Sequence, residues 1–212
     1  MKSFIIDTNV VVHWLMSEKI INYLIEEFNL TDEFRNVYRR RYEQSTNLIN
    51  NILDSGVDNH NFNITELSTA EIFSGIRDEV RSIILFVKGI PISRWMYKRV
   101  TKDVRFEEEL SREIYELTME GFDLLLAEGK IGILPTISPS DVPDYYEVYS
   151  SLIFLNPELT TQDAILLTTS IFHNTDYFMT MDRELIKLGK RLKEAYNMHV
   201  IKPQRAIQII RG

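Results

Sequence analysis

The chain has 212 residues, 44% of them hydrophobic and 26% charged, which suits one packed α/β domain or a compact core with an appended helical piece and excludes global disorder. It has no cysteine, so disulfide frameworks, zinc ribbons, iron–sulfur clusters and thiol nucleophiles are excluded. A net charge of −7 and a pI near 5.2 argue against a broadly basic nucleic-acid-binding surface, although bound cations offset the charge of an acidic metal site.

The opening MKSFIIDTNVVVHW places a strand at Phe4-Ile5-Ile6, then Asp7, then a helix-compatible run from Val10 to Met16. An Asp inside the apolar stretch and the lack of a small-residue cleavage site make this a poor signal peptide. No apolar run approaches the ~18 residues needed to span a bilayer. The expectation is a soluble cytoplasmic protein without a membrane partner. Phe34, Val37, Tyr38, Ser45, Leu48, Ile49 and Ile52 form a helical stripe that ends before Gly56. A turn-rich stretch then leads to a strand at Phe62-Asn63-Ile64. The next helix runs from about Thr69 to Lys88 and stops at Gly89, with Pro91 just beyond. A further helix spans about Asp103 to Glu128, with Leu110, Ile114 and Leu117 on one face and Gly129 after it. Strands follow at Ile131 to Leu134, Tyr177-Phe178-Met179 and His199-Val200-Ile201, each bounded by Gly, Asn or Pro. Strands alternating with helices imply an α/β fold with a mostly parallel, helix-covered sheet. Within a single domain, 17–56 and 77–129 read as helical insertions of the kind that usually form a cap or clamp.

Four acids stand out by position. Asp7, Glu71 and Asp182 lie just past or close behind the carboxyl end of a predicted strand, and all four, Asp163 included, lie near a helix start. Each has a purely structural explanation. Asp7 and Asp182 read as N-caps, Ser68-Thr69-Ala70-Glu71 fits a capping box, and Thr160-Thr161-Gln162-Asp163 is a similar start. Jointly they say more, because the carboxyl ends of parallel strands share one edge, where open α/β folds bind ligands. Carboxylates gathered there repel one another unless a cation neutralises them. His13, His60, His173 and His199 form no ligand-spaced pair, so such a cation would sit on oxygen, which points to magnesium or manganese.

FIIDTNVVVHWL, NITELSTAEIFSGI, TTQDAILLTTSI and YFMTMDREL, in this order, resemble the four blocks of PIN domains. Those blocks are a strand followed by Asp-Thr-Asn, an "AE" pair with a Gly four residues later (here Gly75), an Asp leading an apolar helix, and a Thr-x-Asp after a strand. Together they cover about a third of the chain, and the two helical stretches stay unmatched. The resemblance implies a five-stranded parallel sheet and metal-dependent hydrolysis of phosphodiesters, usually in RNA, with Mg2+ or Mn2+. It places Asp7, Glu71, Asp163 and Asp182 as the acidic quartet holding one or two cations, Asn9 and Thr180 as accessory polar positions, and Glu184 as a less constant fifth acid. No antitoxin-type partner signature is evident; a homodimer and a protein regulator stay open.

Substrate contacts are expected from basic and aromatic residues. Arg94, Lys98, Arg99, Lys102 and Arg105 surround Trp95 and Tyr97, a composition suited to phosphates and stacked bases, or to an amphipathic helix with a solvated basic side. Lys187, Lys190 and Arg191 share a helical face beside Asp182 and form a second candidate for substrate contact, whereas Arg39-Arg40-Arg41 points in three directions and reads as surface. Two rival classes compete with a nuclease. A phosphohydrolase with an Asp nucleophile needs Asp-x-Asp, and Asn9 breaks that pattern. A catalytically idle RNA- or protein-binding module of the same fold is the alternative, and the intact quartet argues against it.

Overall fold

The computed structural model describes residues 1–54, 60–95 and 104–211. Its centre is β1 (Lys2–Ile6), whose Phe4, Ile5 and Ile6 are buried on both faces, as expected of a strand inside a parallel sheet. β2 (His60–Thr65) and β4 (Tyr177–Met179) flank it, with β3 (Gly132–Leu134) outside β2 and β5 (His199–Ile201) outside β4. All four pairings are parallel, giving a five-stranded sheet of order β3-β2-β1-β4-β5. The five strands fall where the short apolar runs predict them. Register is fixed by aromatic stacking across the strands: Phe4 lies 5.0 Å from Phe62 and 4.9 Å from Tyr177, and Tyr177 lies 5.2 Å from His199 between ring centroids.

Alternation along the strands sends side chains into two helical layers. Phe4, Ile6, Phe62, Ile64 and Met179 face one layer. It is built from α1 (Thr8–Leu15), α2 (Ile21–Glu27), α3 (Asp32–Asp54), α4 (Glu66–Val87), α5 (Glu108–Leu126) and α9 (Pro203–Arg211). Ile5 and Phe178 face the other, built from α6 (Tyr145–Leu155), α7 (Thr161–Phe172) and α8 (Arg183–Tyr196). Within 17–56 and 77–129, Ile20, Leu24, Leu48, Ile49, Val80 and Phe122 belong to the same buried cluster as Phe4. Among the described residues, no helix is long and apolar enough to cross a membrane.

Several boundaries differ from the sequence expectation. α4 starts at Glu66 rather than near Thr69, because Thr65 is its N-cap and accepts from the Ser68 amide at 3.1 Å. α5 spans Glu108–Leu126, shorter at both ends than expected. Ile92–Arg94 form a 3₁₀ turn, and the Trp95 indole N–H donates to the Ile90 carbonyl at 2.8 Å. α6 and α9 were not predicted, although Pro203 at the first position of α9 is a recognised start signal.

The winding places a switch point beside β1. The chain runs outward from β1 through β2 to β3 with helices on one face, then crosses to β4 and β5 with helices on the other. At the carboxyl edge of the sheet a cleft opens between α1, α4 and the start of α7.

Candidate active site

Asp7 follows β1 directly and sits at that switch point, 4% exposed. The residue occupies the N-cap position of α1, but its side chain makes no capping bond. The N-cap explanation of Asp7 is therefore replaced by a cross-sheet one. Asp7 Oδ2 accepts from the Thr180 hydroxyl at 2.5 Å and from Asn9 Nδ2 at 2.6 Å. Asn9 Nδ2 also reaches Thr180 Oγ1 at 3.1 Å, and Asn9 Oδ1 accepts from the Met181 amide at 3.1 Å. Thr180 Oγ1 further accepts from the Asp182 amide at 2.9 Å. Asp7, Asn9 and Thr180 thus lock the end of β1 to the loop after β4, and their identities follow from the geometry: one acceptor, one two-donor amide and one hydroxyl that both donates and accepts.

The other acids reach this locus by different routes. Glu71 lies in the second turn of α4, so it is not the partner of a capping box; Glu71 Oε2 accepts from the Thr8 hydroxyl at 2.8 Å. Gly75, one turn on, makes this possible. A Cβ there would stand 2.8 Å from Val12 Cγ2, so glycine lets α4 lie close against α1. Asp163 forms the expected capping box of α7: Asp163 Oδ2 accepts from the Thr160 hydroxyl at 2.6 Å and from the Thr160 amide at 3.3 Å, and the Asp163 amide donates to Thr160 Oγ1 at 3.1 Å.

Asp7, Glu71 and Asp163 line one cleft of about 550 Å3 together with Thr8, Asn9 and His13. Asp182 does not line it; it caps α8, accepting from the Glu184 amide at 2.6 Å. Glu184 is ion-paired with Lys187 at 2.5 Å, which holds its carboxyl below the usual range, and Lys190 lies 3.8 Å from Glu194. Of the basic residues proposed for substrate contact, Arg94 and Arg105 are exposed, whereas Lys98, Arg99 and Lys102, with Tyr97, lie outside the described residues.

Electrostatics couple the three acids of the cleft. Burial pushes the Asp7 carboxyl up to about 7; the Thr180 hydrogen bond opposes this, while the Asp163 and Glu71 charges add to it. Glu71 is also raised, by burial first, with Thr8 opposing and Asp163 adding. His13 is pushed down to about 4 by burial and by Arg41, so it is neutral near pH 7; it stacks on Tyr42 with centroids 4.1 Å apart and bonds Ser45 at 3.2 Å. A titrating acid–base role near neutral pH does not suit it. Asp78 and Glu79, seven and eight residues after Glu71 on α4, line the same cleft. Sequence reasoning passed over them, though that spacing puts them on the Glu71 face. Neither lysine nor arginine lines the cleft among the described residues.

No protein-family model matches the chain, and no curated protein matches it. Among solved structures it is similar to the crystal structure of VapBC2 from Rickettsia felis bound to a DNA fragment from their promoter. That likeness has 11% identity and a TM-score of 0.43, over 94% of this chain and 98% of that one. It is too slight to bear on function.

The acidic donors of the cleft are of one chemical kind. Every candidate ligand is a carboxylate oxygen, the kind magnesium and manganese prefer. Among the described residues, however, no group of three or more Asp, Glu and His side chains stands ready to hold a metal ion. Glu71 Oε2 is bonded to Thr8 and Asp163 Oδ2 to Thr160, while Glu71 Oε1 and Asp163 Oδ1 take no part in those bonds. The donor chemistry of these residues, though not their present placement, fits a hard cation.

Proposed function

We propose that the protein is a metal-dependent nuclease of the PIN-domain type that hydrolyses phosphodiester bonds in RNA. The observation that carries this reading is the coupling of Asp7, Glu71 and Asp163 in one open cleft at the switch point. Among the described residues the cleft carries acids and no lysine or arginine, so it repels a phosphate backbone, and a bound cation turns that repulsion into attraction. When bound, magnesium or manganese neutralises phosphate charge and activates water for attack. Asp7, Glu71 and Asp163 are the residues proposed to hold it, with Asp182 contributing through the loop that Thr180 fixes. Thr180 and Asn9 orient the Asp7 carboxylate, Thr8 presents Glu71, and the Thr160 cap presents Asp163. Neutral His13 forms part of the wall and moves no proton near pH 7.

A second reading, a catalytically idle RNA- or protein-binding module, is favoured by one observation: Asp163 and Asp182 already serve as helix caps. One experiment separates the two. Labelled single-stranded RNA is incubated with the protein and millimolar manganese, with a chelator control and the Asp7→Asn variant. Cleavage that needs manganese and Asp7 supports the nuclease; equal products from wild type and Asp7→Asn would sink it and leave the idle module.

A further inference from the structure

A second concavity of about 150 Å3 lies between α3 and α4. Its walls are Phe34, Tyr38, Ile83, Phe86 and Trp95, with Arg41 at the side. The rings pack on one another and offer an outer aromatic face. Phe34 and Phe86 lie 5.2 Å apart between centroids, and the Trp95 ring is held by its bond to Ile90. Two apolar side chains stand in solvent at this site: Val37 is 65% exposed and Phe86 is 51% exposed.

One residue belongs to both concavities. Glu79 lines the acidic cleft and the aromatic pocket. It is pinned by two tyrosines, with Tyr42 donating at 2.8 Å and Tyr38 at 3.0 Å, both to Oε2. Arg41 stacks over the Tyr42 ring at 5.1 Å, which places a cation beside the same junction. We propose that the pocket between α3 and α4 is a nucleobase subsite for single-stranded RNA, in which Glu79 selects a base carrying an exocyclic amine over uracil. The proposal rests on the nuclease reading of the adjoining cleft.

The chemistry follows from the shape. Bases stack on aromatic side chains whatever their identity, because every base has a π-face. A fixed carboxylate at the pocket wall then discriminates by edge. The amine of cytosine or adenine donates to it, whereas uracil presents a carbonyl oxygen there and is repelled. Arg41 offers a charge for the neighbouring phosphate.

The test uses labelled twelve-nucleotide oligocytidylate and oligouridylate. Binding is followed by fluorescence anisotropy in millimolar calcium, and the integrity of the strand is checked on a gel. Wild type should bind oligocytidylate several-fold tighter than oligouridylate. Phe86→Ala should weaken oligocytidylate about tenfold, the scale of losing one base–aromatic stack. Val37→Glu, at an exposed position, should weaken it similarly without touching the fold. Glu79→Gln should bring the two oligonucleotides within about twofold, because a carboxamide offers both donor and acceptor. Equal wild-type affinities would overturn the selection. Unchanged affinity in both Phe86→Ala and Val37→Glu would overturn the subsite and assign the pocket to an apolar side chain of a partner protein. Manganese-dependent cleavage is scored separately on the same strands, so the subsite can fail while the nuclease stands, and the reverse.

Discussion

At Asp7, burial and charge oppose each other in a way that can be measured. The folded chain keeps a proton on this carboxyl up to about pH 7, whereas the unfolded chain releases it near 3.8. The favourable difference is therefore fully present below pH 3.8 and is lost as pH rises through about 7. The loss amounts to about 4 kcal/mol in all, taken as an upper bound. In chelator, the melting temperature of wild type should fall between pH 5.5 and pH 8. Asp7→Asn keeps an oxygen for Thr180 and Asn9 and carries no charge at either pH, so it should flatten that fall while abolishing manganese-dependent cleavage. If the variant shows the same fall as wild type, another group is responsible. Thr8→Val tests the neighbouring acid. Loss of the hydroxyl frees Glu71 from its only described hydrogen-bond donor, and cleavage should drop more than stability, which changes by about 1 kcal/mol.

α1 and α4 form the element pair that sets the spacing of the site, and Gly75 marks a close approach between them. A Cβ at 75 meets Val12, whose branched side chain has little rotamer freedom in a helix, so α4 must move outward. Gly75→Ala should cost about 1–3 kcal/mol by overpacking and carry Glu71 away from Thr8, lowering cleavage beyond what the melting temperature predicts. Activity lost only in step with unfolding would remove this positioning role. Elements were legible in the sequence wherever local chemistry was unambiguous. Five short apolar runs bounded by turn formers became the five strands, and Thr160 with Asp163 became the capping box. The start of α4 was misread because Ser68 and Thr65 both fit an N-cap three residues apart, and only the sheet end at Thr65 decides between them. α6 escaped because its apolar residues cluster without a helical period. The Tyr38–Glu79 and Tyr42–Glu79 bonds join helices 37 to 41 residues apart, and no local pattern encodes them. That Asp182 turns toward its own helix, away from the cleft, is likewise a matter of side-chain rotation that spacing does not carry.

The whole molecule gathers acids from β1, α4 and α7 at the single crevice its winding creates, and this links the site to global stability. Without a cation, burial first and the neighbouring carboxylates second make the ionised forms of Asp7 and Glu71 costly in the folded chain. An ion that binds only the native cluster adds about 2.7 kcal/mol at a hundredfold excess over its dissociation constant. For a chain of this size that corresponds to roughly 5–10 °C in melting temperature. Magnesium or manganese should therefore raise the melting point at pH 8, where Asp7 is ionised, and do so much less at pH 5.5, where protons compete for Asp7. Asp163→Asn isolates the cation from the cap. The carboxamide oxygen still accepts from Thr160, so metal-free stability should hold or rise slightly, while the metal-induced rise shrinks. A site whose acids serve only as caps predicts equal responses in wild type and variant. A wild-type melting point that ignores millimolar manganese at pH 8 would show that these carboxylates hold no cation, whatever the likeness of the surrounding motifs.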